Sequence, residues 1–176
     1  MVELVARSAL SAHGLPMEIG GLRIDEVAMG PVWAVMPFAG QAEALSAVFE
    51  EALGLTLPDP GYVQSSPEAE ILWTGQEQWF FCGVPVVDVQ GHGSVTEQSD
   101  GWAVLSVRGD AVRDVMARLC PLDLRDFRPG QVARSEFAHM MSIILPRAGG
   151  YDVWVMRSFG ATALHHLRAA ALGVAG

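Results

Sequence analysis

Apolar residues recur along this chain at two spacings, and the two spacings alternate. "GLRIDEVAM" (21–29) predicts a strand, although Asp25 and Glu26 spoil strict alternation. Gly30-Pro31 is a turn signal, and "VWAVMPF" (32–38) predicts a well-buried strand paired back on the first in a hairpin. The spacing then lengthens. In "QAEALSAVFEEAL", Leu45, Val48, Phe49 and Ala52 stand at i, i+3, i+4 and i+7, the signature of one helix face, with Glu43, Glu50 and Glu51 opposite. Gly54 is placed to cap that helix at its C-terminus, with Pro58 and Pro60 beyond it.

Strands are expected again at 70–75 and 79–87, followed by a flexible loop, "QGHGS" (90–94). "SVTEQSDGWAVLSV" (94–107) predicts two strands hinged at Ser99-Asp100-Gly101. Asp110 is placed to cap a second helix, in which Val112, Val115, Met116 and Leu119 share a face and which Pro121 ends. From 131 to 145, Phe137, His139, Met141, Ile143 and Leu145 follow period two and predict one strand. "PRAGG" (146–150) turns it into a return strand at 151–156, and Ser158 is placed to cap a last helix with Leu164, Leu167 and Ala171 inward.

The order strand, glycine, amphipathic helix, further strands occurs twice. Trp33 and Trp102 are 69 residues apart, as are Gly40 and Gly109, and five of ten positions match between 33–42 and 102–111. A shift of two residues aligns the helix faces, which one gap in a loop permits. The expected fold is α+β: two similar, interlocked βαβ-type subdomains at about 20–90 and 91–176, within a single domain spanning 1–176. Units this small are expected to pack as a pair, since neither alone buries much surface.

Composition narrows the function classes. Apolar residues make up 51% and charged residues 18%, below the ~25% charged of an average domain. No apolar run reaches membrane-spanning length, and "MVELVARSALSAHG" lacks the apolar core of a secretory signal. A short chain this apolar either builds an efficient core or shows apolar surface to a partner. The net charge of −9 and the absence of a basic cluster argue against nucleic acid. Cys82 and Cys120, 38 residues apart with no CxxC, read as two buried thiols in a reduced, cytoplasmic setting.

Candidate chemistry is sparse. His13, His92 and His139 stand apart, and the adjacent His165 and His166 diverge by about 100° on a helix, so no metal site is expected. His92, between glycines, reads either as a loop residue or as a mobile acid/base. No nucleophile elbow, phosphate loop or dinucleotide fingerprint is present, and no catalytic residue is assigned. Asp123, Arg134 and Arg157 are polar residues in apolar settings. They are candidates to hold an anionic ligand or carboxylate-bearing cofactor, or else to pair with one another or with a partner chain.

Together, "SDGWAVLSVRGDAVRDVMARLCPLDL", "ARSEF" and "VMRSFGATALHHL" resemble, over roughly 95–168, the gamma subunit of heterotetrameric sarcosine oxidase. "VRGDAVRDVMARLCPLD" is also similar to the folate-binding domain of the glycine cleavage T protein, whose fold is a pair of interlocked α+β subdomains. The resemblance implies membership of a complex that oxidatively demethylates sarcosine to glycine, forming hydrogen peroxide and methylenetetrahydrofolate. It implies alpha, beta and delta partner subunits, with the FAD, FMN, NAD and tetrahydrofolate sites on the larger alpha and beta subunits, and a non-catalytic packing role for this chain, which holds no cofactor itself. The folate enzymes carry an Asn-Asp pair whose Asp works at the folate; here the matching place reads Leu122-Asp123. The alternative is a stand-alone tetrahydrofolate-binding or one-carbon-transfer protein.

Overall fold

The computed structural model describes residues 5–84, 87–89 and 91–176. Eleven strands among them form two antiparallel sheets. The six-stranded sheet runs β1 (Met17–Ile19), β2 (Leu22–Glu26), β8 (Trp102–Arg108), β11 (Gly150–Met156), β10 (Met140–Arg147), β9 (Ala133–Phe137). The five-stranded sheet runs β4 (Val63–Ser65), β5 (Glu70–Gly75), β6 (Gln78–Cys82), β3 (Val32–Pro37), β7 (Gly93–Glu97). Helix α1 (Ala42–Leu53) follows β3, the short α2 (Val112–Met116) follows β8, and α3 (Gly160–Ala175) follows β11.

Period-two alternation explains the layering. Along β3, Val32 and Ala34 face the other sheet while Trp33 and Val35 face α1. Along β8, Val104 faces the other sheet while Ala103, Leu105 and Val107 pack under α2 and α3. The order of layers is therefore α1, five-stranded sheet, six-stranded sheet, α2 with α3. Both sheets are buried on both faces, which is where the high apolar content goes. No helix of the described residues is long and apolar enough to cross a membrane.

The two sheets share one strand order. Taken from the other edge, β7-β3-β6-β5-β4 has the same succession as β2-β8-β11-β10-β9, with a helix after β3 and after β8. β2, just before β3 in the chain, pairs with β8; β7, just before β8, pairs with β3. Each sheet thus borrows the strand beside β8 or β3 from the segment that leads into the other.

That exchange corrects the expected hairpin of 21–29 with 32–38: Gly30-Pro31 carries the chain between sheets, and β3 pairs with β6 and β7. All strand pairs are antiparallel, so the units are not the parallel-crossover βαβ type that was expected. The tryptophans matched at offset 69 are not equivalent in space. Trp33 lies on the α1 face of its sheet and Trp102 on the inter-sheet face of its own, so the two strands are one residue out of phase.

Other differences are local. The strand expected over 131–145 is a hairpin, β9–β10, turning at Ala138 and His139, whose φ values are 47° and 67°. That turn leaves His139 and Met141 exposed. Neither Asp110 nor Ser158 caps a helix; the N-cap residues of α2 and α3 are Ala111 and Phe159, with no side-chain cap bond. On α1, Leu45 and Phe49 are buried as expected, and Gly54 closes the helix in the left-handed conformation, its N–H donating to Glu50 O at 2.8 Å.

Candidate functional site

The inter-sheet face of the six-stranded sheet ends, at the C-termini of β8 and β10, in charged residues. Arg108, Arg147 and Asp152 lie in phase with the buried Val104, Leu145 and Trp154. From the facing sheet Glu70, in phase with Leu72, meets them. Arg147 donates both terminal nitrogens to the Glu70 carboxylate at 2.7 Å and its Nε to Asp152 Oδ2 at 2.9 Å. Arg108 donates to Asp152 Oδ1 at 2.5 Å and to the Tyr151 carbonyl. Two cations and two carboxylates neutralise one another across the mouth of the sandwich, and the bidentate Arg147–Glu70 pair ties the two sheets together.

This cluster sets its surroundings. The Glu70 carboxylate holds the Arg147 guanidinium protonated more firmly than usual, against the effect of burial. Cys82 stands opposite Glu70 in the β5–β6 ladder. Burial first, and then the Glu70 charge, push its thiol up to about 12, with Arg147 opposing. Burial likewise raises Cys120, with a backbone hydrogen bond at Leu122 opposing. Both thiols are free and held neutral.

Beside the cluster a cleft of about 610 Å³ opens between the start of α2, the 127–129 loop and the β10–β11 turn. Arg113, Arg128, Arg147, Asp110 and Asp114 line it. Phe127 stacks on Tyr151 within it, ring centroids 6.3 Å apart and 17° from parallel. Gly109 has a φ of 134°, and a Cβ there would come within 2.5 Å of Gly21 O, so only glycine lets β8 end against the β1–β2 turn. The lining can hold a ligand of mixed charge. It contains no cysteine, histidine or serine to act as nucleophile or neutral base.

Asp123, Arg134 and Arg157 do not come together. Asp123 is exposed and held by its own neighbour: Arg125 donates Nε at 2.9 Å, Nη2 at 2.6 Å and its backbone N at 3.1 Å to the carboxylate. These bonds, the side-chain ones first, hold its pKa well below the usual carboxylate range. Asp123 does not line the cleft. Arg134 lies at the other end of the sheet with its guanidinium carbon 5.6 Å from the Trp102 ring centroid, and burial lowers its pKa. Arg157 donates to the Arg7 carbonyl and borders a separate cavity of about 170 Å³ with Glu26, Asp100 and Trp102.

His92 lies 3.1 Å from Gln41 Oε1, joining the 91–92 loop to the start of α1. His165 and His166 meet edge to face on α3, and no group of three metal-ligating side chains occurs among the described residues. Sequence reasoning missed Glu70, Arg108, Arg147 and Asp152. A signal was present: Arg147 and Asp152 flank the tight Ala148-Gly149 turn, each in phase with apolar residues of its strand.

No family model and no curated protein matches the chain. Among solved structures it is similar to a chain of "Heterotetrameric Sarcosine Oxidase from Corynebacterium sp. U-96 in complex with pyrrole 2-carboxylate", with a TM-score of 0.82 and 21% identity over 97% of each chain. The two share a fold from end to end.

Proposed function

We propose that this chain is a non-catalytic structural subunit, of the gamma type, in a heterotetrameric sarcosine oxidase. Its partners would be alpha, beta and delta subunits, in a cytoplasmic complex that oxidatively demethylates sarcosine to glycine. FAD, FMN, NAD and tetrahydrofolate would sit on the partner subunits. The carrying observation is the coextensive match: 97% of this chain and 97% of the neighbour's superpose. The shared strand order of the two sheets fits two pseudo-repeat units at about 20–90 and 91–176 that exchange their lead strands.

The test is co-expression with sarcosine oxidase flavoprotein subunits, followed by size exclusion and a flavin absorbance scan. A yellow, sarcosine-oxidising complex that falls apart without this chain is expected. A chain that elutes alone and colourless sinks the reading.

The 610 Å³ cleft favours a second reading, a stand-alone tetrahydrofolate-binding or one-carbon-transfer protein. In that case Arg113 and Arg128, which border the cleft, would meet the ligand's carboxylates. Titration calorimetry with tetrahydrofolate separates the two: no heat and no thermal shift ends this second reading.

A further inference from the structure

The end of the six-stranded sheet opposite the charged cluster is unfinished. Trp154 and Ile143 are paired in register, face the five-stranded sheet and are buried by it. One rung further out on the same face, Met156 pairs with Trp102 on one side, and the register of Ser142 with Val155 sets Met141 on the other. Here the cover stops: Met141 is 52% exposed and Met156 53%. Two large apolar side chains stand side by side on a flat sheet face, next to an aromatic group, where alternation calls for core.

The charges at this end are unfinished too. Four arginines of the six-stranded sheet lie on this face: Arg108, Arg147, Arg23, which pairs with Asp25 and Glu18, and Arg134. The first two are neutralised by Asp152 and Glu70. Among the described residues Arg134 has no carboxylate in ion-pair reach; Glu136, two positions along the same strand and face, does not pair with it. Its guanidinium lies over Trp102, which leaves the planar donor edge free for a carboxylate. Burial also lowers the pKa of this arginine, the opposite of Arg147, and a carboxylate brought beside it would reverse that.

We infer that Trp102, Met141, Met156 and Arg134 form the docking face for a partner protein chain, which lays an apolar segment over the two methionines and pairs a carboxylate with Arg134. Methionine suits such a surface because its flexible thioether repacks against an incoming side chain. Tryptophan and arginine are the residues that most often anchor interfaces. A cleft of about 540 Å³ bordered by Met156, Arg157, Ser8 and Gly101 continues the same surface and gives the segment a place to enter. The inference rests on the subunit reading and names the surface that reading requires.

The experiment uses the full chain co-expressed with sarcosine oxidase flavoprotein subunits. Met156→Glu and Arg134→Glu are each expected to weaken assembly at least about 30-fold, with unchanged melting temperature of the isolated chain; Met141→Glu provides a third probe if one variant misfolds. Arg168→Glu, on the exposed side of α3, is expected to assemble normally. Hydrogen peroxide should oxidise Met141 and Met156 readily in the free chain and at least about tenfold more slowly in the complex. If the complex forms equally well with all these variants and both methionines oxidise at the free rate within it, the docking face is overturned while the subunit reading stands. If the wild-type chain assembles with no flavoprotein subunit, both fall. If the wild-type chain alone protects the methionines by self-association, the occupant is a second copy and the inference is overturned.

Discussion

The six-stranded sheet shows the same face to its neighbour along its whole length, yet its two ends are finished differently. At one end Arg108, Asp152, Arg147 and Glu70 close the gap between the sheets with four charges that cancel. At the other, Trp102 and Phe80 meet edge to face at 5.4 Å, Arg134 lies over the indole, and Met141 and Met156 stand outside. Charged groups at the rim of a core are tolerated when partners from the same chain satisfy them. Apolar groups at a rim are left in water, which costs roughly 25 cal/mol for each Å² that could have been covered. The charged end is complete within this chain; the apolar end is where another chain can add stability.

The comparison can be broken from its centre outwards. Trp154 is 3% exposed and joins the two ends, packing against Phe80 and Trp102. Trp154→Ala should therefore cost the most, about 3–5 kcal/mol in urea unfolding; a loss below 1 kcal/mol would show that the sheets do not meet there. Next comes the charged end. Arg147→Ala strands the Glu70 and Asp152 carboxylates and should cost about 2–4 kcal/mol, discounted because the arginine side chain keeps 31% exposure. In a double-mutant cycle with Glu70→Ala the double variant should lose less than the sum of the two single losses, and strict additivity would mean that the pair does not couple the sheets.

The third effect is pH-linked. The folded thiol of Cys82 lies near 12, above its ordinary value of 9.0. The unfolded chain therefore loses this proton first, and stability should decline as pH rises from 9 towards 12. Cys82→Ala should remove that part of the decline, and an identical pH profile for the variant would refute the buried, neutral thiol. The smallest effect is expected at the apolar end of the isolated chain. Met156→Glu should shift stability by no more than about 0.5 kcal/mol, because the side chain is already half in water. A loss of 2 kcal/mol or more would mean that Met156 belongs to the chain's own core and would erase the difference between the ends.

Much of the fold was legible because local periodicity carried it. The α1 face through Leu45 and Phe49, the Gly54 cap, the β10–β11 hairpin and the inward face of α3 through Leu164, Leu167 and Ala171 all follow from spacing within a dozen residues. The failures share one cause. The hairpin expected between 21–29 and 32–38 and the single strand expected over 131–145 depended on which strand pairs with which, and a buried strand reads the same in any sheet. The three candidate residues lie apart for a related reason. Asp123 was satisfied two residues away by Arg125, a bond short enough in sequence to have been anticipated. Arg147 found Glu70 77 residues away, and no local pattern points to that pair.

By itself, then, the sequence determined an α+β chain with two strand–glycine–helix units, one of the two expected buried thiols, Cys120, and more apolar residues than a lone domain of its size usually carries. Side-chain period and backbone propensity act over a few residues and can be read there. Only the tertiary structure decided that the units exchange β2 and β7, that four distant charges meet at one end of the sandwich, and that Met141 and Met156 remain uncovered at the other. Pairing between strands, and the matching of charges across sheets, are settled by long-range packing in which many registers compete. The winner is the arrangement that buries both faces of both sheets and leaves no carboxylate of the charged end without its arginine.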